Sequence, residues 1–138
     1  METGKVINKI SNRLRRRSRA VQEAIGISGA QGNILDYILV EGEKRSIYQK
    51  EIEREFGLRP STATEALQNL EKRGLIRRIP DEQDGRYKRI VFTEKASQVK
   101  EALRQEIRQS EELLLRGISS EEKTVFLEIA ERMLENME

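Results

Sequence analysis

The sequence predicts a mainly α-helical chain with one small β-hairpin, an α+β fold in which long helices flank a compact centre. Three observations predict it. A short helical stretch, a glycine and a second helix opening on proline follow one another between positions 48 and 74. Directly behind them, two five-residue runs rich in β-formers bracket an Asp-Gly pair, a strong turn signal. On either side, apolar residues recur at the steps of long amphipathic helices.

Each element has its own warrant. Val6, Ile10, Leu14, Val21 and Ile25 make the stripe of a first helix that Gly26 ends. Ser28 with Gln31 three residues later reads as a capping box for a second helix, whose apolar face is Ile34, Leu35, Ile38 and Leu39. After the polar loop Glu41–Arg45, a third helix runs from about Tyr48 to Phe56 and stops at Gly57. Pro60 suits the first position of a fourth helix that continues through Leu70 to Gly74, which completes a helix-turn-helix. Leu75–Ile79 and Lys88–Phe92 are the strands, and a hairpin placed there is a wing. Thr93 caps a long fifth helix striped by Ala96, Val99, Leu103, Ile107, Ser110 and Leu114. Gly117 breaks it, and Ser119 with Glu122 caps a sixth helix bearing Val125, Phe126, Ile129, Met133 and Met137.

Composition narrows the chemistry. The 138 residues fit one domain and include neither cysteine nor histidine. Disulfides and thiolate metal sites are impossible, and the commonest general base and zinc ligand is missing. There is no Gly-rich phosphate loop and no nucleophile paired with a base. The Glu111-Glu112 and Glu121-Glu122 neighbours face different sides of their helices. No catalytic residue, metal site or cofactor is expected. Without a membrane-length apolar run or a signal-peptide pattern, the expected location is the cytoplasm. Charge is uneven: residues 1–25 carry seven basic and two acidic side chains, a net of +5, whereas residues 94–138 carry seven and eleven, a net of −4. A phosphate-facing module on an acidic support and a mixture of solvated helix faces both fit that distribution.

The fourth helix carries the sharpest pattern. At 100° per residue, Ala63, Ala66, Leu67 and Leu70 share one side, and Ser61, Glu65, Gln68 and Lys72 share the other, flanked by Thr62, Thr64 and Asn69. Short hydroxyls, an amide and a Lys pair with base edges and phosphates in a major groove; with Arg59 just ahead of the helix they form the candidate DNA-reading set. Glu65 repels phosphate and is useful only if it accepts from a cytosine amine or orients an Arg. The wing concentrates Arg77, Arg78, Arg86, Lys88 and Arg89. Arg86 at the tip can reach a minor groove, with a carboxylate beside it, Asp81 or Asp84, holding its side chain in the reaching rotamer. A solvated turn with an incidental ion pair fits the same residues. The run Arg13–Arg19 fits DNA backbone contact, pairing with the acidic C-terminal segment of one subunit or two, or a solvated face.

This order of elements resembles the MarR family of bacterial transcription regulators over essentially the whole chain. Matching residues are Gln49-Lys50-Glu51-Ile52, Ser61-Thr62-Ala63-Thr64, Leu70 through Arg77, Asp84-Gly85-Arg86 and Phe92-Thr93. The resemblance implies a homodimer whose helices 1–25 and 94–138 associate, around a winged helix-turn-helix part spanning 28–93. It implies recognition helices in successive major grooves of an inverted repeat and wing arginines in minor grooves, with Arg86 as wing arginine, Asp84 as its partner and Lys88 beside them. It also implies a small-molecule effector cleft, to which Ile34, Tyr37, Ile38 and Tyr48 could contribute, although core packing accounts for each equally well. Glu65 stands where the family often has Arg, Gln83 where the wing often has another Arg, and Ala96 where Gly is common. The function expected is a homodimeric regulator, most simply a repressor, binding double-stranded DNA. The alternative is a winged-helix protein-interaction module that never reads DNA.

Overall fold

Glycines and short hydroxyl side chains set the helix boundaries along this chain, as capping chemistry requires. The computed structural model describes residues 1–138. It runs α1 (Thr3–Ile25), α2 (Gly29–Gly42), α3 (Gln49–Phe56), α4 (Pro60–Lys72), β1 (Ile76–Pro80), β2 (Lys88–Phe92), a 3-10 turn (Glu94–Ala96), α5 (Ser97–Leu114) and α6 (Ser120–Asn136). Both capping boxes are present, Ser28 with Gln31 on α2 and Ser119 with Glu122 on α6. Between α3 and α4, Gly57 adopts φ 61°, a left-handed turn that a residue with a Cβ enters only under strain. Thr93 also caps as expected, but on the 3-10 turn, so α5 proper opens at Ser97.

The core sits where α2, α3 and α4 meet the hairpin. Leu35, Leu39, Ile47, Ile52, Leu67, Leu70 and Ile76 are fully buried; truncating any of them to Ala costs about 2–5 kcal/mol. β1 and β2 pair antiparallel in the register Ile76↔Phe92 to Pro80↔Lys88. The hairpin has a third edge that the sequence reading missed. The Ile90 N–H donates to the Ile47 carbonyl at 2.8 Å, and Tyr48 forms an antiparallel bridge with Arg89. A two-residue pairing has no periodicity to detect, and Tyr48 is the N-cap of α3 rather than a residue within it.

Close approach and end-capping hold α1 against this centre. The Gln22 side chain lies over Gly32, where an added Cβ would stand 2.8 Å from Gln22 Cγ and closer still to its amide. Arg73, one residue beyond α4, donates through Nη1 to the Gly26 carbonyl at 2.6 Å and through Nη2 to the Ile25 carbonyl at 3.4 Å. A guanidinium thus satisfies carbonyls at the negative end of α1, a match of charge as well as hydrogen bonding.

The chain divides into two compact units, Met1–Glu106 and Ile107–Glu138, with the boundary inside α5. The second unit has a Lys123–Glu111 ion pair at 3.8 Å, and its helix α6 buries none of its residues. No helix is long and apolar enough to cross a membrane.

One carboxylate of the first unit has a buried oxygen left unsatisfied. Asp36 Oδ1, on α2, is inaccessible to solvent and has no hydrogen-bond partner. Burial, with the negative charge of Glu106 added to it, pushes the Asp36 pKa up to about 7. The folded chain therefore keeps a proton that the unfolded chain loses near 3.8. Stability linked to this proton is complete below that lower value and is lost as pH rises through about 7. Urea unfolding midpoints should accordingly fall between about pH 5 and about pH 8, and Asp36→Asn should flatten that fall. An unchanged slope in the variant would assign it to another group.

Candidate nucleic-acid interface

The first turn of α4 begins at Arg59, an exposed N-cap without a side-chain cap, followed by Pro60 at the first helical position. Burial of Ala63, Leu67 and Leu70 against the core fixes which way the helix faces. Ser61, Thr62, Glu65, Gln68, Asn69 and Lys72 are consequently exposed on its outer side. Thr64 differs from its neighbours. It is half-buried, and its Oγ1 accepts a 2.9 Å hydrogen bond from Gln49 Nε2.

Gln49, the first residue of α3, links three elements. Its Nε2 also donates to Glu53 Oε2 at 3.1 Å and to the Pro60 carbonyl at 3.3 Å. Its Oε1 accepts from Arg78 Nη1 at 3.3 Å, while Arg78 Nε donates to Glu71 Oε1 at 2.8 Å. Arg78 is thereby occupied between β1, α3 and α4, which separates it from the other basic residues of the hairpin. Arg77 and Lys88 are exposed, and Arg89 lies 3.8 Å from Glu82.

The wing tip is ordered by two aspartates. Asp81 Oδ2 accepts the backbone N–H groups of Gln83 and Asp84, both at 3.1 Å, and its Oδ1 accepts the Tyr48 hydroxyl at 2.6 Å. The tyrosine hydrogen bond holds Asp81 below the usual carboxylate range and raises the Tyr48 phenol. Asp84 grips Arg86 in a fork: Nε to Oδ1 at 3.0 Å and Nη2 to Oδ2 at 2.8 Å. The Arg86 backbone N–H adds a third bond to Oδ1 at 3.1 Å. This guanidinium keeps Asp84 below the ordinary carboxylate range, so both charges persist. The Arg86 side chain is 84% exposed, so the fork leaves it facing solvent.

Between the start of α3 and the hairpin lies an open cavity of about 530 Å³, bordered by Lys50, Glu51, Arg78, Arg86, Tyr87 and Lys88 as well as Tyr48 and Gln49. The residues considered for an effector cleft are scattered by comparison. Ile34 and Ile38 are core residues, buried with Leu35 and Leu39. Tyr37 packs edge-on against Phe56 at 5.9 Å, and its hydroxyl lies between Arg45 and Glu51, themselves an ion pair. Tyr48 is the support of the wing just described. Gln49 and Arg73 match the family pattern in the sequence but carry no assigned role there, because a hydrogen-bond hub and a distant carbonyl cap leave no local pattern. Gln49 could have been suspected from its place at the start of α3 in the helix-turn-helix.

Comparison with known proteins gives this geometry a context. The MarR family profile matches residues 25–86. The uncharacterized HTH-type transcriptional regulator YybA of Bacillus subtilis (strain 168) is 33% identical over 102 residues, 74% of this chain and 68% of that protein. The crystal structure of S. aureus MepR in DNA-binding conformation superposes with a TM-score of 0.87 at 25% identity, covering 100% of both chains. The S. aureus MepR-DNA complex gives a TM-score of 0.75 at 25% identity, over 100% of this chain and 99% of that one. The extent of the match to YybA, together with the family profile over the helix-turn-helix and wing tip, places the chain in the MarR family of transcriptional regulators.

Proposed function

We propose that the chain acts as a homodimer that reads an inverted repeat in double-stranded DNA and represses transcription by occupying it. The observation that carries the proposal is the fork between Asp84 and Arg86. A guanidinium fixed at the tip of a hairpin, beside a helix with an exposed polar face, is built to contact something that the protein itself does not contain. In this reading α4 lies in a major groove, Gln68 contacts base edges, and Arg59, Ser61, Thr62 and Lys72 contact bases or phosphates. Arg86 enters the flanking minor groove, with Lys88 on the adjoining backbone. Thr64, held by Gln49, sets the depth of the helix rather than reading a base. The similarity to MepR, which has been crystallized with DNA, supports this assignment.

Dimerisation is supported by apolar surface. On α6, Val125, Phe126 and Leu134 are 53%, 60% and 66% exposed, and Ile129 is 43% exposed. A helix this apolar and this uncovered calls for a partner surface, and a second copy supplies one by symmetry.

Binding should depend steeply on salt. With about 6–10 phosphate contacts per dimer, the log–log slope of affinity against salt should be about −5 to −9. A flat response would point to a protein partner instead.

The helix and the wing should fail differently. On an operator selected from random DNA, Gln68→Ala should lose about 1–3 kcal/mol, with little change on a scrambled duplex. Arg86→Ala should weaken binding to both duplexes, most where the flanks are A·T-rich. Asp84→Ala should add nothing to Arg86→Ala in the double variant if its role is to hold that side chain. Equal loss from Gln68→Ala on both duplexes, with none from Arg86→Ala, would move DNA to another surface.

A further inference from the structure

The basic run of α1 has no place in the interface described above. Arg13 and Arg16 are exposed and form no ion pair or hydrogen bond. At 100° per residue, Lys9, Arg13 and Arg16 fall within about 60° of one another, along about 10 Å of α1, with Lys5 one turn before them paired to Glu2 at 3.7 Å. They border the apolar stripe that includes Val6, Ile10 and Leu14. Glu121, Glu128, Glu131 and Glu135 of α6 likewise fall within about 80°, along about 21 Å, bordering the exposed face of Val125 and Ile129. Each helix thus carries an apolar lane beside a charged lane, and the two charged lanes have opposite signs.

We propose that the basic lane of α1 seats on the acidic lane of α6 of a second copy of this chain, so that charge sets the register of the dimer while apolar contact supplies most of its affinity. The inference rests on the homodimer proposed above. Two-fold symmetry repeats every such contact, giving two equivalent seams. Opposed charges bordering an apolar seam specify partner and orientation, as they do in helical coiled coils. DNA is the other polyanion to consider. Arg73 ties the C-terminal end of α1 to the C-terminal end of α4, whereas recognition helices read bases with their N-terminal residues. Arg13 and Arg16 lie a further ~14–18 Å along α1 from that tie.

Charge exchange tests this on the full chain. One variant carries Lys9→Glu, Arg13→Glu and Arg16→Glu; a second carries Glu128→Lys, Glu131→Lys and Glu135→Lys; a third carries all six. Dimer dissociation is followed by sedimentation and by dilution of fluorescently labelled protein, with circular dichroism confirming helix content. Each three-residue variant alone should dissociate about tenfold more readily or worse. An equimolar mixture of the two should form heterodimers, and the six-residue variant should form homodimers, each within about threefold of the wild-type constant. Reversed variants that dimerise as tightly as wild type would overturn the proposal. So would a loss that neither the mixture nor the six-residue variant recovers. Recovery in the six-residue variant but not in the mixture would place the seam within one chain and overturn it as well. If the first variant dimerises normally but loses affinity for random-sequence duplex, the lane belongs to DNA. A wild-type monomer at micromolar concentration would remove the homodimer itself, an outcome distinct from a dimer indifferent to charge.

Discussion

A side-chain amide offers two N–H donors and one carbonyl acceptor, and in Gln49 both ends are engaged across element boundaries. Its nitrogen donates to the Pro60 carbonyl and the Thr64 hydroxyl, and its oxygen accepts a hydrogen bond from Arg78. Burial of Ile52 on α3 and Leu67 on α4 favours the packing of the two helices, but burial is indifferent to small rotations of a helix about its axis. Directional hydrogen bonds are not. Gln49 therefore converts a hydrophobic contact into a defined presentation of Ser61, Glu65 and Gln68. Because Arg78 also binds Glu71, the same network fixes where the hairpin leaves α4.

The Asp84–Arg86 fork resolves an electrostatic tension. A carboxylate beside an arginine reduces the local positive charge, which would weaken attraction to DNA. It also restricts a side chain that would otherwise lose about 2 kcal/mol of rotamer freedom on binding. The guanidinium has five donors, and the fork uses only Nε and Nη2, so Nη1 remains available outward. Preorganisation at that cost in charge favours fit over raw attraction.

Much of this was legible in the sequence because it is local. Caps at Ser28 and Ser119, the turn at Gly57 and the stop at Gly117 each depend on residues within four or five positions, and the strand pair around Gly85 joins neighbouring segments of one hairpin. The outward face of α4 followed from its own periodicity. What escaped was long-range or irregular. Tyr48 serves at once as N-cap of α3, bridge to Arg89 and donor to Asp81, roles invisible until β2 is folded beside it. Ile34 and Ile38 were ambiguous between cleft and core because an apolar side chain looks the same in either, and the fold places both in the core. Thr64 sat at the flank of the polar face, and only the arrival of Gln49 from α3 turned it inward.

Tyr48 joins the two reading elements in a further sense. Its backbone bridges to Arg89 and its hydroxyl holds Asp81 at the base of the tip, while the next residue along the chain is Gln49. A displacement of the hairpin is thus passed through a single peptide unit to the side chain that seats α4. Within the first compact unit the outer face of α4 and the wing tip are positioned through two consecutive residues, and in the DNA reading proposed above the offset between their two contacts would be a property of the fold.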